Sequence, residues 1–184
     1  NYVSYLQSNP QEVELLFKEL LIRVTQFFRD PEVWQAIATA LLEELVKRCS
    51  ADEQLRFWVP GCATGEEAYS LAILVRELME KLNIFLNIQI FATDLDAAAI
   101  DIACKGSYPD GIASQVTEQR LRKYFYHADS NYIIRKEVRE MIMFATQNLV
   151  NDPPFTNVNL ISCRNLLIYM KPELQQKILP TFHY

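Results

Sequence analysis

Four apolar runs in this chain end in residues able to do chemistry. Gly61-Cys62-Ala63-Thr64-Gly65-Glu66-Glu67 follows Leu55–Val59, and Asp94 follows Ile88–Ala92. Asn148 and Leu149 follow Ile142–Ala145, and Cys163-Arg164-Asn165-Leu166-Leu167-Ile168-Tyr169 follows Val158–Ser162. Two glycines and small side chains permit a tight turn and close approach of the backbone to a ligand. The helix expected next offers unpaired N–H groups at its positive end. Thr64 and Glu67 have capping-box spacing, which assigns Glu67 a structural role and leaves Glu66 at the cleft mouth. A carboxylate there suits a cationic ligand group, an ammonium or a sulfonium, better than a phosphate. Asp94 stands where an acidic side chain accepts ribose hydroxyls, although Asp96 is the better N-cap of the next helix. Asn148 suits either a purine edge or a turn. Arg164 and Asn165 break an apolar run at a strand end, which packing alone does not explain. Cys163 reads as a small buried hydrophobe, because neither His127 nor His183 is near it in sequence.

These residues need a scaffold, and the periodicity supplies one. Val13, Leu16, Leu20, Val24 and Phe27 have helical spacing over 11–28. Asp30-Pro31 reads as an N-cap and first helical residue, opening a helix with Trp34, Ile37, Ala38, Leu41, Leu45 and Val46 on one side. A helix from Glu66 to about Leu82 buries Leu71, Val75, Leu78 and Leu82, and a shorter one covers about Asp96 to Cys104. Residues 105–141 are irregular, with a helix near 117–125 and a strand at Tyr132–Ile134; Pro172 starts a final helix. Strands alternating with helices predict a parallel sheet, whose ligands sit beyond the carboxyl ends of its strands.

The 184 residues suffice for one domain with a substantial core. A net charge of −5 with no Lys/Arg cluster argues against a nucleic-acid partner. Four cysteines, at 49, 62, 104 and 163, show no CxxC spacing, so neither a metal site nor a disulfide framework is expected. No apolar run has transmembrane length and no signal peptide is visible, so the expected location is cytoplasmic, without membrane insertion. The start at Asn1 suggests a fragment.

The motifs resemble the CheR-type chemotaxis methyltransferases. Thr25-Gln26-Phe27-Phe28-Arg29-Asp30, the Gly61–Ser70 stretch, Ala92-Thr93-Asp94-Leu95-Asp96 and Ser162–Tyr169 carry the resemblance, in the right order, from about residue 15 to the C-terminus. It implies an α/β, Rossmann-like class I methyltransferase sheet with flanking helices, expected here without its last strands. The implied division is a helical segment over 1–30 and an S-adenosylmethionine-binding domain over 31–184, truncated at its C-terminus. It implies methyl transfer from S-adenosylmethionine to glutamate side chains in the cytoplasmic helical region of chemoreceptors, leaving S-adenosylhomocysteine. Cofactor contacts carry over to Thr25, Arg29, Glu66, Asp94, Asn148, Leu149, Arg164 and Asn165. Arg29 would orient the substrate carboxylate and Tyr169 would lie near the methyl. Position 23 departs from the pattern, with Arg23 where the family often has Asn. The Gly-Cys-Ala-Thr-Gly form and Asp152-Pro153-Pro154-Phe155 are closest to CheR domains within larger hybrid signalling proteins.

Two other readings are open. Asp152-Pro153-Pro154-Phe155 is similar to a motif of DNA amino-methyltransferases, but it precedes the fourth strand rather than following it. The domain would alternatively bind S-adenosylmethionine or S-adenosylhomocysteine as a non-catalytic sensory module. Oligomeric state is not legible.

Overall fold

The computed structural model describes residues 2–20, 25–48 and 53–183, apart from the side chains of 14, 17–20, 41–42 and 46–48. Helices α1 (Tyr2–Ser8) and α2 (Pro10–Leu20) come first. The helix expected over 11–28 is corrected here. Phe27 sits in a turn rather than a helix, and Val13 is exposed. Val24 and the Leu20 side chain lie outside the described residues. Phe27 and Phe28 instead enter the core, because a turn aims two consecutive aromatic rings inward where a helix would spread them.

Pro31 does start α3 (Pro31–Ala36), which widens into a π-helical stretch over Ile37–Leu42 before α4 (Glu43–Arg48). Trp34 is buried and Ile37, Ala38 and Leu45 pack against the core; the Leu41 and Val46 side chains are outside the described residues.

Four strands form a parallel sheet: β1 (Gln54–Pro60), β2 (Asn87–Asp94), β6 (Ile142–Thr146) and β7 (Leu160–Ile161). Their spatial order is β6-β2-β1-β7. The β1–β2 ladder runs from Gln54↔Asn87 to Pro60↔Thr93, whereas β1–β7 pairs two residues, Phe57↔Leu160 and Trp58↔Ile161. The fourth strand is thus shorter than Val158–Ser162. Asn159 N–H and Ser162 N–H still donate to the Arg56 and Trp58 carbonyls, both at 2.8 Å, and extend the pairing at each end.

Alternation gives the sheet two faces. Leu55, Phe57, Val59, Ile88, Ile90 and Ala92 belong to the main core with α5 (Glu66–Leu82), whose bounds match the periodicity. Trp58 and Phe91 point the other way, where Phe155 stacks on Phe91 at 4.4 Å and Phe182 meets Trp58 edge-on at 5.5 Å. After β2 comes α6 (Ala97–Lys105), capped by the Asp96 carboxylate accepting from Ala98 N–H at 3.0 Å.

The irregular stretch holds a second sheet that periodicity did not reveal. It contains β3 (Ser107–Pro109), β4 (Phe125–Ala128) and β5 (Asn131–Ile134), antiparallel in the order β3-β5-β4, with α7 (Glu118–Tyr124) before β4. Its Tyr108 and Phe125 meet Phe27 edge-on at 4.9 and 5.6 Å. The chain continues through α8 (Lys136–Arg139) and ends with α9 (Pro172–Ile178) and a 3₁₀ turn over Leu179–His183. Among the described residues no helix is long and apolar enough to cross a membrane.

Candidate functional site

A cavity of about 540 Å³ lies beyond the carboxyl ends of β6, β2, β1 and β7. Its walls include Thr25, Arg29, Gly61, Asp94, Asn148, Leu149, Arg164, Asn165 and Tyr169, drawn from all four strand ends and from the segment before α3. Parallel strands explain the convergence: each following turn emerges on the same edge of the sheet.

The two glutamates of the first turn exchange the roles assigned by spacing. Gly65, left-handed at φ 94°, takes the N-cap position of α5, and no side chain caps that helix. The expected capping box from Thr64 to Glu67 is therefore corrected. Thr64 Oγ1 instead donates to the Glu66 carboxylate, at 2.7 Å to Oε2, and Glu66 is buried away from the cavity wall. Glu67 lines the cavity and accepts from Ser162 Oγ at 2.6 Å, tying the start of α5 to the end of β7. Burial pushes the Glu67 carboxyl up to about 7, against the Ser162 hydrogen bond and the Arg164 and Arg29 charges. Burial also raises Glu66, opposed by its Thr64 hydrogen bond.

The glycines serve packing. A Cβ on Gly65 would stand 2.9 Å from Ala103 Cβ, and one on Gly61 2.7 Å from a Leu166 methyl. The turn can therefore lie tight against α6 and the segment after β7.

Asp94 locks the turn and keeps capacity to spare. Its Oδ2 accepts from Ala63 N–H at 2.8 Å and its Oδ1 from Asp96 N–H at 2.9 Å. A carboxylate has about four acceptor sites, so lone pairs are left for hydroxyl donors. Next to it, Gln147 N–H donates to the Asp94 carbonyl at 2.9 Å, and the Asn148 side chain closes a turn by accepting from Val150 N–H at 3.0 Å.

Arg164 reaches across the cavity. Its Nη2 donates to the Arg29 carbonyl and to Asp30 Oδ2, each at 2.8 Å, and its guanidinium lies 5.1 Å from the Trp34 ring centroid. The Asp30 carboxylate thus serves this latch rather than capping α3. Tyr169 is 56% exposed at the rim, on a short 3₁₀ turn (Leu167–Tyr169). Cys163 is half-buried, and burial, reinforced by the Glu67 charge, pushes its thiol up to about 12, so it stays protonated.

The Asp152–Phe155 motif is spent on structure, and none of its residues lines the cavity. Asp152 Oδ2 accepts from Asn148 N–H at 2.7 Å, Pro153 carbonyl from Gln147 Nε2 at 2.9 Å, and Phe155 covers the sheet. Among the wall residues that sequence reasoning did not assign to the site are Glu67, Trp34 and Gln147. Trp34 looked like a helix packing residue. Gln147 is adjacent to Asn148, and its position after a strand was the available signal. Trp34 Nε1 and Gln147 Oε1 are buried with no hydrogen-bond partner, one donor and one acceptor in the cavity walls.

The strand order turns back between β1 and β7, and parallel α/β sheets of this class take their ligands in the cleft at such a point. The family model described as CheR methyltransferase, SAM binding domain, matches residues 23–184, and the chain belongs to that family. It is 40% identical over 184 residues to an uncharacterized 104.1 kDa protein in the hypE 3′ region of Rhodobacter capsulatus, covering 100% of this chain and 19% of that one. It is 33% identical over 178 residues to the putative methyltransferase Cher3 of Pseudomonas putida, covering 91% of this chain and 62% of that one. A chemotaxis protein methyltransferase of Borreliella burgdorferi is 26% identical over 191 residues, with coverage of 99% and 67%. The chain thus spans only part of these relatives.

Proposed function

We propose that this domain binds S-adenosylmethionine and transfers its methyl group to glutamate carboxylates of chemoreceptors in the cytoplasm, giving methyl esters and S-adenosylhomocysteine. One observation carries the reading: a single cavity joins Asp94, with acceptor capacity for ribose hydroxyls, to Glu67, a carboxylate suited to a cation. Its volume, about 540 Å³, is in the range of small-molecule sites, and its unpartnered donor and acceptor fit a ligand carrying both. Thr25, Arg29, Asn148, Leu149 and Asn165 are the further contacts in this reading. Glu66 is replaced by Glu67. Arg164 acts chiefly through its latch to residues 29 and 30.

The cofactor supplies a methyl group activated by positive sulfur. A glutamate side chain is already ionised near neutral pH and needs no strong base, so the chain's task is alignment and exclusion of water. Arg29 orients the incoming carboxylate through the paired N–H groups of its guanidinium. Tyr169, at the rim, covers the reacting groups once substrate is seated.

Calorimetry with S-adenosylhomocysteine tests the cofactor assignment, with micromolar binding expected to the wild type and at least about tenfold weaker binding to Glu67→Gln. No binding to the wild type sinks the reading. Labelled methyl transfer to a chemoreceptor fragment tests the substrate, and label in nucleic acid instead would overturn it. The match to a fifth of a 104.1 kDa relative favours one alternative, a binding module within a larger signalling protein. Binding without turnover on receptor fragments would support that alternative.

A further inference from the structure

Arg29 is flanked by two non-glycine residues with left-handed backbone, Phe28 at φ 50° and Asp30 at φ 56°. A bulky aromatic residue stays in that region only when its surroundings hold it there. Around Phe28 the holding groups are specific. Its N–H donates to the buried Ser70 hydroxyl at 2.9 Å, and that hydroxyl donates to the Glu66 carbonyl at 2.7 Å. Its ring meets Trp34 edge-on at 6.1 Å, and the Arg120 guanidinium lies 3.9 Å from its centroid. Arg120 is in turn fixed by Glu77 on α5, through two hydrogen bonds of 2.8 Å each. It takes no part in the cavity wall and faces a separate outer groove that it shares with Glu77 and Lys123.

We propose that Arg120 is a positioning residue for the cavity: clamped by Glu77, it presses Phe28 into its left-handed turn and so aims Arg29 inward. Because Glu77 and Glu67 belong to one rigid helix, the clamp also sets Arg29 relative to Glu67 across the site. The inference rests on the cofactor reading above. Its chemistry requires a planar, delocalised cation that pairs bidentately and stacks at once; a lysine keeps the charge without the fork.

The test titrates S-adenosylhomocysteine into the wild type, Arg120→Gln, Arg120→Lys, Phe28→Leu and the Arg120→Gln/Phe28→Leu double variant. Lys123→Gln, altered in the same outer groove, is the control. Arg120→Gln is expected to weaken binding about tenfold and Arg120→Lys to restore part of that loss, with Lys123→Gln unchanged. The double variant is expected to bind no worse than Phe28→Leu alone, since one route carries both effects. In the ligand-free protein, Arg120→Gln should speed amide exchange at Phe28 while Leu74 and Val75 in α5 stay protected. Affinity of Arg120→Gln within about twofold of wild type, or additive losses in the double variant, overturns the proposal. If the wild type binds no ligand, the cofactor reading falls first, and unchanged exchange at Phe28 then removes the clamp as well. Should Arg120→Gln loosen α5 itself, the affinity of Arg120→Lys decides.

Discussion

The cavity has a floor and a rim, and they are held by different forces. The floor, Gly61 to Glu67 with Asp94, hangs from the long β1–β2 ladder and is bound by backbone N–H groups: Cys62 N–H to the Thr93 carbonyl at 3.0 Å, Ala63 N–H to Asp94 at 2.8 Å. The rim, residues 25–30 and 163–169, hangs from a two-residue ladder and from side chains, with Phe28, Asp30 and Asn165 all left-handed. Each such residue costs about 1–3 kcal/mol, recovered through the contacts of the folded protein. A floor built on register is part of global stability, whereas a rim built on side-chain contacts can loosen without unfolding the sheet.

The sharpest way to break that distinction is Gly65→Ala. It combines a φ of 94° with a Cβ placed 2.9 Å from Ala103 Cβ, and should cost roughly 3–4 kcal/mol of unfolding free energy in a denaturant titration. A loss near zero would mean the floor is not fixed by close packing against α6. Phe155→Ala comes next. Uncovering Phe91 and Trp58 should cost about 2–3 kcal/mol while leaving S-adenosylhomocysteine affinity nearly unchanged. Lost affinity with intact stability would give Phe155 a ligand-binding role instead. Arg164→Ala should invert the pattern, weakening ligand about tenfold, near 1.4 kcal/mol, with a smaller change in melting temperature. Equal damage to both would merge rim and floor.

The smallest expected effect concerns Glu67. Its carboxyl is raised from 4.5 to about 7, so the folded state holds the proton more tightly than the unfolded one. Stability without ligand should therefore fall as pH rises, by about 1 kcal/mol between pH 6 and 8, and Glu67→Gln should abolish that slope. Affinity for the cationic cofactor should rise over the same window. A flat profile in the wild type would mean that Glu67 is already ionised.

Local signals were read well where chain geometry is local. The bounds of α5 follow from its spacing, and Asp96 caps α6 as its type and place suggest. The misassigned glutamates show the limit. Counting from Thr64 gives a capping box, but Gly65 takes the cap in a left-handed conformation and shifts the register by one. That shift turns Glu67, not Glu66, toward the cavity. The small sheet was legible only in part: the strand expected at Tyr132–Ile134 is β5, but its partners β3 and β4 are too short to show a period, and β3 pairs with β5 some 25 residues later. The reach of Arg164 to residues 29 and 30 is a contact between distant segments that no spacing encodes.

The chain has two tryptophans, and the fold puts them in different surroundings: Trp34 in the cavity wall beside Arg164, Trp58 behind the sheet between Phe155 and Phe182. Each is therefore an intrinsic optical reporter on its own compartment. In Trp58→Phe, the remaining emission should respond to ligand. In Trp34→Phe, it should stay dark to ligand and change when the C-terminal turn leaves the sheet.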